Sequence, residues 1–279
     1  MNRISPGLVV AVLLALLAGG YFLFLRQAPA PPVAMVPAPS PAAPETAPAA
    51  PAPPQILHPL EAASAPLPPD APAAPLPALA EADTVVQGLL GDLLGRRATL
   101  QLLQTDRFIQ RIVATVDNLP TRHASPRLWP VHPMAERFTA RGPDGAMQVD
   151  PDNARRYQPL VQLVEAVDPA SAAALYRRLY PLFQQAYQEL GYPQGYFNDR
   201  LVEVIDHLQA TPQVEGPLAM TLTEVKGPYP STTPWLHYEF ADPALQSLSA
   251  GQRALLRSGV VNQRRLLAWL AAFRAQVAH

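Results

Sequence analysis

Between Ala28 and Glu81 the chain is written almost entirely in two residues. Of these 54 positions, 36 are proline or alanine, and none is glycine, lysine or arginine. Repeated X–Pro steps hold a backbone in extended or polyproline II geometry. Such a segment cannot bury enough apolar surface to offset its ordering entropy. It is expected to be a disordered, semi-rigid spacer that contributes nothing to a neighbouring core, with a contour of roughly 170 Å at about 3.1 Å per residue. No clear PxxP with a flanking arginine marks it as a ligand for proline-recognition grooves, so it reads as a tether. The whole chain of 279 residues carries 35 prolines against 14 glycines, more than twice ordinary proline usage. A single compact domain of average composition is thereby excluded.

On the N-terminal side of the tether, the run from Gly7 to Leu25 (GLVVAVLLALLAGGYFLFL) holds 19 residues and no charge. At about 1.5 Å per residue it reaches roughly 28 Å, close to the hydrocarbon thickness of a bilayer. A signal peptide has a shorter apolar core, and here Tyr21 to Leu25 continue the run past the small residues Ala18-Gly19-Gly20. An uncleaved single-pass anchor in the lipid bilayer is expected. The amino terminus and Arg3 precede it, and Arg26 follows. That bias places the N-terminus in the cytoplasm and everything after Arg26 in the periplasm, on a bacterial inner membrane.

The chain has no cysteine and a formal net charge of −1. Disulfide scaffolds, Cys-ligated metals and Cys nucleophiles are excluded. The near-zero charge argues against nucleic acid as a partner.

The organisation that follows is an anchor over residues 1–27, a linker over 28–81 and a folded domain over 82–279. The folded part carries 19 Lys and Arg against 18 Asp and Glu, and its patterning is mainly α. Asp83 reads as the cap of a helix bearing Val85, Val86, Leu89, Leu90, Leu93 and Leu94 on one face. Asp106 or Thr105 opens a second, with Phe108, Ile109, Ile112 and Val113 inward. Asn153 starts another, with Pro159 as an expected kink. Asp168-Pro169 is an N-cap followed by proline at the first helical position, and Gly191 is the stop of that long helix, which Pro181 should kink. Asn198 reads as the cap of a helix from Asp199 to about Ala210. Ser249 and Gln252 have capping-box spacing, and the last helix turns Leu266, Trp269, Leu270, Phe273 and Val277 inward. One or two short β-hairpins are expected, from the segments flanking Gly142-Pro-Asp-Gly145, and from Leu218, Met220 and Leu222 with Leu236, Tyr238 and Phe240.

Several stretches of this part resemble a known family. They are Asp117-Asn118-Leu119-Pro120, the long run YRRLYPLFQQAYQELGYPQGYFNDRLVEVIDHL from Tyr176 to Leu208, Phe240-Ala-Asp-Pro243 and Leu248-Ser-Ala-Gly-Gln252. Together they are similar to a bacterial family catalogued only as domain of unknown function number 3014. The resemblance covers the folded part and leaves out the anchor and linker. It implies a membrane-anchored envelope protein and supplies no catalytic residues.

Sites must therefore be read from the residues. In the helix after Asn198, Leu201, Val204, Ile205 and Leu208 form an apolar stripe. Asp199, Glu203 and His207 fall one turn apart on another face, with Asp206 adjoining. Two carboxylates and an imidazole so spaced could share a divalent metal or act as an acid–base pair, or they could be a solvated face paired with nearby arginines. No His-Glu-x-x-His, nucleophile elbow, phosphate loop or dinucleotide fingerprint is present. Tyr176, Tyr180, Phe183 and Tyr187 make an aromatic stripe, read as core. The loop Gly191-Tyr-Pro-Gln-Gly-Tyr-Phe197 crowds Tyr192, Tyr196 and Phe197 beside a helix N-terminus, a common place for binding. The binding candidates are thus Tyr192, Tyr196, Phe197, Asn198, Asp199, Glu203, Asp206 and His207. Five arginines and no acid from Pro243 onward could touch an anionic surface or simply face solvent.

The leading functional expectation is a non-catalytic periplasmic interaction or scaffold module on a long tether, engaging an envelope protein or cell-wall partner, with no cofactor. The alternative is an envelope enzyme, a metal-assisted hydrolase using Asp199, Glu203 and His207.

Overall fold

The computed structural model describes residues 55–60, 75–143, 146–223 and 237–278, all within one compact unit that runs from Ala52 to His279. The run from Gly7 to Leu25 and most of the Pro/Ala stretch lie outside the described residues. Among the described residues, no helix is long and apolar enough to cross a membrane.

A 3-10 turn at Leu79–Glu81 leads directly into α1 (Asp83–Leu94), and Gly95, at φ 84°, breaks it from α2 (Arg96–Leu102). Leu79 sits 3% exposed in the main core, so the expectation that the Pro/Ala stretch adds nothing to that core is corrected there. Its burial also moves the cap. The turn draws Ala82 into the capping position, and Asp83 becomes the first helical residue. The Asp83 carboxylate instead accepts the backbone N–H of Arg107 at 2.9 Å. Arg107 is left-handed at φ 48° and takes the capping position of α3 (Phe108–Asn118) expected for Thr105 or Asp106.

Strands β1 (Ala140–Arg141) and β2 (Met147–Val149) form the hairpin read from the sequence. Next come α4 (Asn153–Glu165) and α5 (Pro169–Glu189), which run on through Pro159 and Pro181. Asp168 caps α5 by accepting the Ser171 N–H at 2.8 Å, with Pro169 at the first position. Gly191, at φ 124°, follows its end. Then come α6 (Phe197–Gln209), β3 (Ala219–Leu222), β4 (Tyr238–Phe240), α7 (Pro243–Gln246), α8 (Ala250–Arg257) and α9 (Val260–Val277). Both arms of the Ser249–Gln252 capping box are made.

The two pairs of strands are not separate hairpins. They form one four-stranded antiparallel sheet in the order β1-β2-β3-β4, with Met147 opposite Met220 and Met220 opposite Phe240. Met220, Phe240 and Leu256 of α8 give this sheet its own small core. The main core draws on α1, α3, α5, α6 and α9. Tyr176, Phe183 and Tyr187 are buried in it, as the aromatic stripe predicts. Helix α9 packs against α4, α5 and α6 at once, so its buried face is wider than one stripe. Leu267, Phe273 and Val277 are buried, but so are Asn262 and Gln263, which donate to the carbonyls of Ala154 and Pro212.

Candidate functional site

The turn from α5 into α6 is built by packing from below. Phe197 is fully buried and stacks on Phe183, with ring centres 5.7 Å apart. It is therefore core rather than the exposed binding contact read from the sequence. Tyr192 stacks on Tyr187 at 4.5 Å. A Cβ on Gly195 would come within 2.7 Å of the Tyr187 ring, so the loop lies this close only because that residue is glycine. Gln184, which the sequence does not single out, ties the loop down. Its Nε2 donates to the Gly195 carbonyl at 2.8 Å, and its Oε1 accepts the Phe197 N–H at 2.9 Å and the Tyr180 hydroxyl at 3.0 Å.

Three polar groups within four residues stand on this base, and all three face one short piece of extended chain. The Asp199 carboxylate accepts the backbone N–H of His58 at 2.7 Å and of Leu57 at 3.0 Å, one on each oxygen. The Tyr196 hydroxyl accepts the N–H of Leu60 at 2.8 Å. The Asn198 Nδ2 donates to the His58 carbonyl at 2.8 Å. Because α6 starts at Phe197, Asn198 is not its cap, a correction to the sequence reading. Asn198 is fully buried instead. Its second Nδ2 hydrogen reaches the Val277 carbonyl at 2.8 Å, and its Oδ1 accepts the Tyr176 hydroxyl at 3.2 Å. Beside this seat, Tyr192, Pro193, Gln194, Gly195 and Tyr196 line an open groove with Ile56 of the docked segment.

The sequence held a signal for the docked piece. Gln55-Ile56-Leu57-His58 is the only run of four residues between Ala28 and Glu81 that contains neither proline nor alanine.

The helix face proposed for metal or acid–base work does not converge. Asp199 turns to the docked backbone. Glu203 pairs with Arg200 at 2.9 Å, and Arg200 also donates to Asp117 at 3.0 Å. Burial works against the Arg200 charge, yet Glu203 and Asp117 hold its pKa above the ordinary value. The Tyr192 hydroxyl donates to the same Asp117 at 3.0 Å, which pushes its pKa up. Asp206 pairs with Arg274, and His207 meets the Ser249 hydroxyl at 2.9 Å. His207 is thus half-buried at the α6–α8 junction rather than on a solvated face. Among the described residues, no group of three or more His, Cys, Asp or Glu side chains could hold a metal ion.

The C-terminal arginines are likewise engaged within the fold. Arg264 pairs with Glu215, Arg265 with Glu165 and Arg274 with Asp206, while Arg253 and Arg257 donate to the carbonyls of Arg122 and Tyr238.

A family described as a protein of unknown function, DUF3014, matches residues 108–274. The chain belongs to that family. No curated protein and no solved structure matches it. In this DUF3014 chain the matched residues run from α3 almost to the end of α9. They contain Tyr192, Tyr196, Asn198 and Asp199, whereas the docked residues 55–60 lie outside the match.

Proposed function

We propose that the chain is a non-catalytic bacterial envelope protein. A single-pass anchor from Gly7 to Leu25 holds it in the inner membrane, with the N-terminus cytoplasmic. The helical body is a periplasmic interaction or scaffold module carried on the Pro/Ala tether, and its partner is an envelope protein or cell-wall component. The observation that supports this reading is the use of Tyr196, Asn198 and Asp199. Their polar groups serve the backbone of an extended segment, which is the chemistry of holding a chain rather than of transforming a substrate. Beside them Ile56 and Tyr192 stay 53% and 41% exposed, and an apolar surface of this kind next to main-chain-binding groups favours a partner.

Cross-linking in intact cells tests the reading. A photoreactive residue at Gln194, on the groove, should give discrete adducts. The same residue at Val261, exposed on α9 and not part of the groove, should give none. A reporter fused after His279 should be active in the periplasm and silent in the cytoplasm. Equal labelling from both positions, or a reporter active only in the cytoplasm, would overturn the assignment.

A further inference from the structure

We propose that residues 55–60 are a peptide ligand held in cis, and that the groove accepts in trans an extended peptide of another protein with the same chemistry. That chemistry is two successive backbone N–H groups, a proline, and then an N–H on a residue with an apolar side chain. The inference rests on the interaction-module reading and names its ligand.

The first argument is a complete account of donors. Between Leu57 and Leu60 the backbone offers three N–H groups, because Pro59 has none. Asp199 takes two and Tyr196 takes the third, while Asn198 serves the carbonyl between them. Four hydrogen bonds to the main chain of Leu57, His58 and Leu60, all from side chains of one turn, form a reader of extended backbone. Proline at the third position suits it, since it removes a donor the groove does not serve and stiffens the extended form.

The second argument concerns side chains. Leu60 alone packs against the main core, and it is only partly buried. Ile56 and Leu57 are 53% and 67% exposed. None of the six docked residues is buried, whereas Leu79 further along the same stretch is 3% exposed. A structural staple would bury its apolar groups. Three of its four polar contacts go to Tyr196 and Asp199, which are only partly buried, so water can replace those bonds when it leaves, while the buried Asn198 keeps its bonds to Val277 and Tyr176.

Proximity explains why the site is filled. Fourteen residues join Leu60 to Pro75, so the cis segment is present at high effective concentration without high intrinsic affinity. A trans peptide with a better apolar fit beside Tyr192 displaces it.

The test uses the full chain in detergent and a labelled peptide of residues 52–62, APPQILHPLEA. Wild type should bind it weakly. The variant Leu57→Pro/His58→Pro loses both donors to Asp199 in cis and should bind it at least about tenfold more tightly, since hydrogen bonds to a charged group carry that much. Adding Asp199→Ala should abolish the gain. A peptide N-methylated at the Leu57 and His58 positions should not bind. If the opened variant, shown folded by circular dichroism, takes the peptide no better than wild type, or takes the N-methylated peptide equally, the proposal fails. Should that variant not fold, amide exchange in wild type decides. Leu57, His58 and Leu60 should exchange through an opening that Val204 and Ile205 of α6 do not share, and exchange only with those core amides would make the segment a fixed part of the fold. Adducts at Gln194 in cells without peptide capture would sink this inference and leave the module standing. Capture without adducts would do the reverse.

Discussion

Asn198 and Val277 lie 79 residues apart, and the Asn198 Nδ2 donates to the Val277 carbonyl at 2.8 Å. One buried carboxamide thus joins the first turn of α6 to the last residue of α9, and its other two bonds reach Tyr176 and His58.

Truncating that carboxamide leaves a buried carbonyl and a buried phenol without partners. Asn198→Ala should therefore cost about 2–6 kcal/mol in denaturant unfolding, because each of the two stranded buried groups costs about 1–3 kcal/mol. An N-cap would cost only about 1 kcal/mol. Asn198→Asp should be worse, since a carboxylate would face two carbonyl oxygens. A loss of 1 kcal/mol or less for the alanine variant would contradict the buried-bridge assignment.

Glu203 and His207 should separate, although they sit on neighbouring turns. The Glu203 side chain is 67% exposed in its pair with Arg200. Glu203→Ala should shift stability by less than about 0.5 kcal/mol. His207 meets Ser249 Oγ inside a junction, and His207→Ala should cost about 1 kcal/mol. Equal effects would show that the contact with Ser249 carries nothing.

What was legible in the sequence was local. Asp168 with Pro169, and Ser249 with Gln252, declare caps within three residues, and both are made. The apolar periods of α3, α5 and α6 gave the helical body for the same reason. The loop before α6 was also legible as a place, because aromatics and glycines concentrate there. The roles of its residues were not. Asp199 meets partners 141 and 142 residues away, and no spacing rule reaches that far. Gln184 looks like an ordinary helix exterior until the loop folds back onto it. Ala82 replaces Asp83 as a cap because the burial of Leu79 decides where the helix can begin.

Leu79 supplies a third prediction. Leu79→Ala should cost about 2–4 kcal/mol, the usual range for a buried leucine. A fragment beginning at Ala82 should likewise be less stable than one beginning at Ala52, by at least the contribution of Leu79. Identical denaturant midpoints for the two fragments would show that the residues before Ala82 only rest against the core.

The aromatic cluster predicts behaviour in alkali. Burial and then the neighbouring Tyr180 push the Tyr176 phenol well up, burial and then the Tyr196 hydroxyl do the same for Tyr180, and burial and then the Asp117 charge raise Tyr187. In each case the folded state favours the neutral phenol, while the unfolded chain ionises near its ordinary value of about 10. Above that pH the unfolded state binds fewer protons, so stability falls as pH rises. Absorbance at the phenolate band should show some of the nine tyrosines ionising only as the protein unfolds. A single transition of all nine with the fold intact would refute the burial of this cluster.

The seat at Asp199 also sets a length. On the proposed anchored arrangement, docking the segment leaves residues 28–54 as the leash, which would span at most roughly 85 Å at about 3.1 Å per residue. With the seat surrendered to a partner, the leash extends to residue 74, because Leu76 and Leu79 stay packed in the core, and its limit grows to roughly 145 Å. Capturing a ligand and gaining reach would then be one event, and a body that has found its partner could stand farther from the membrane than one still searching.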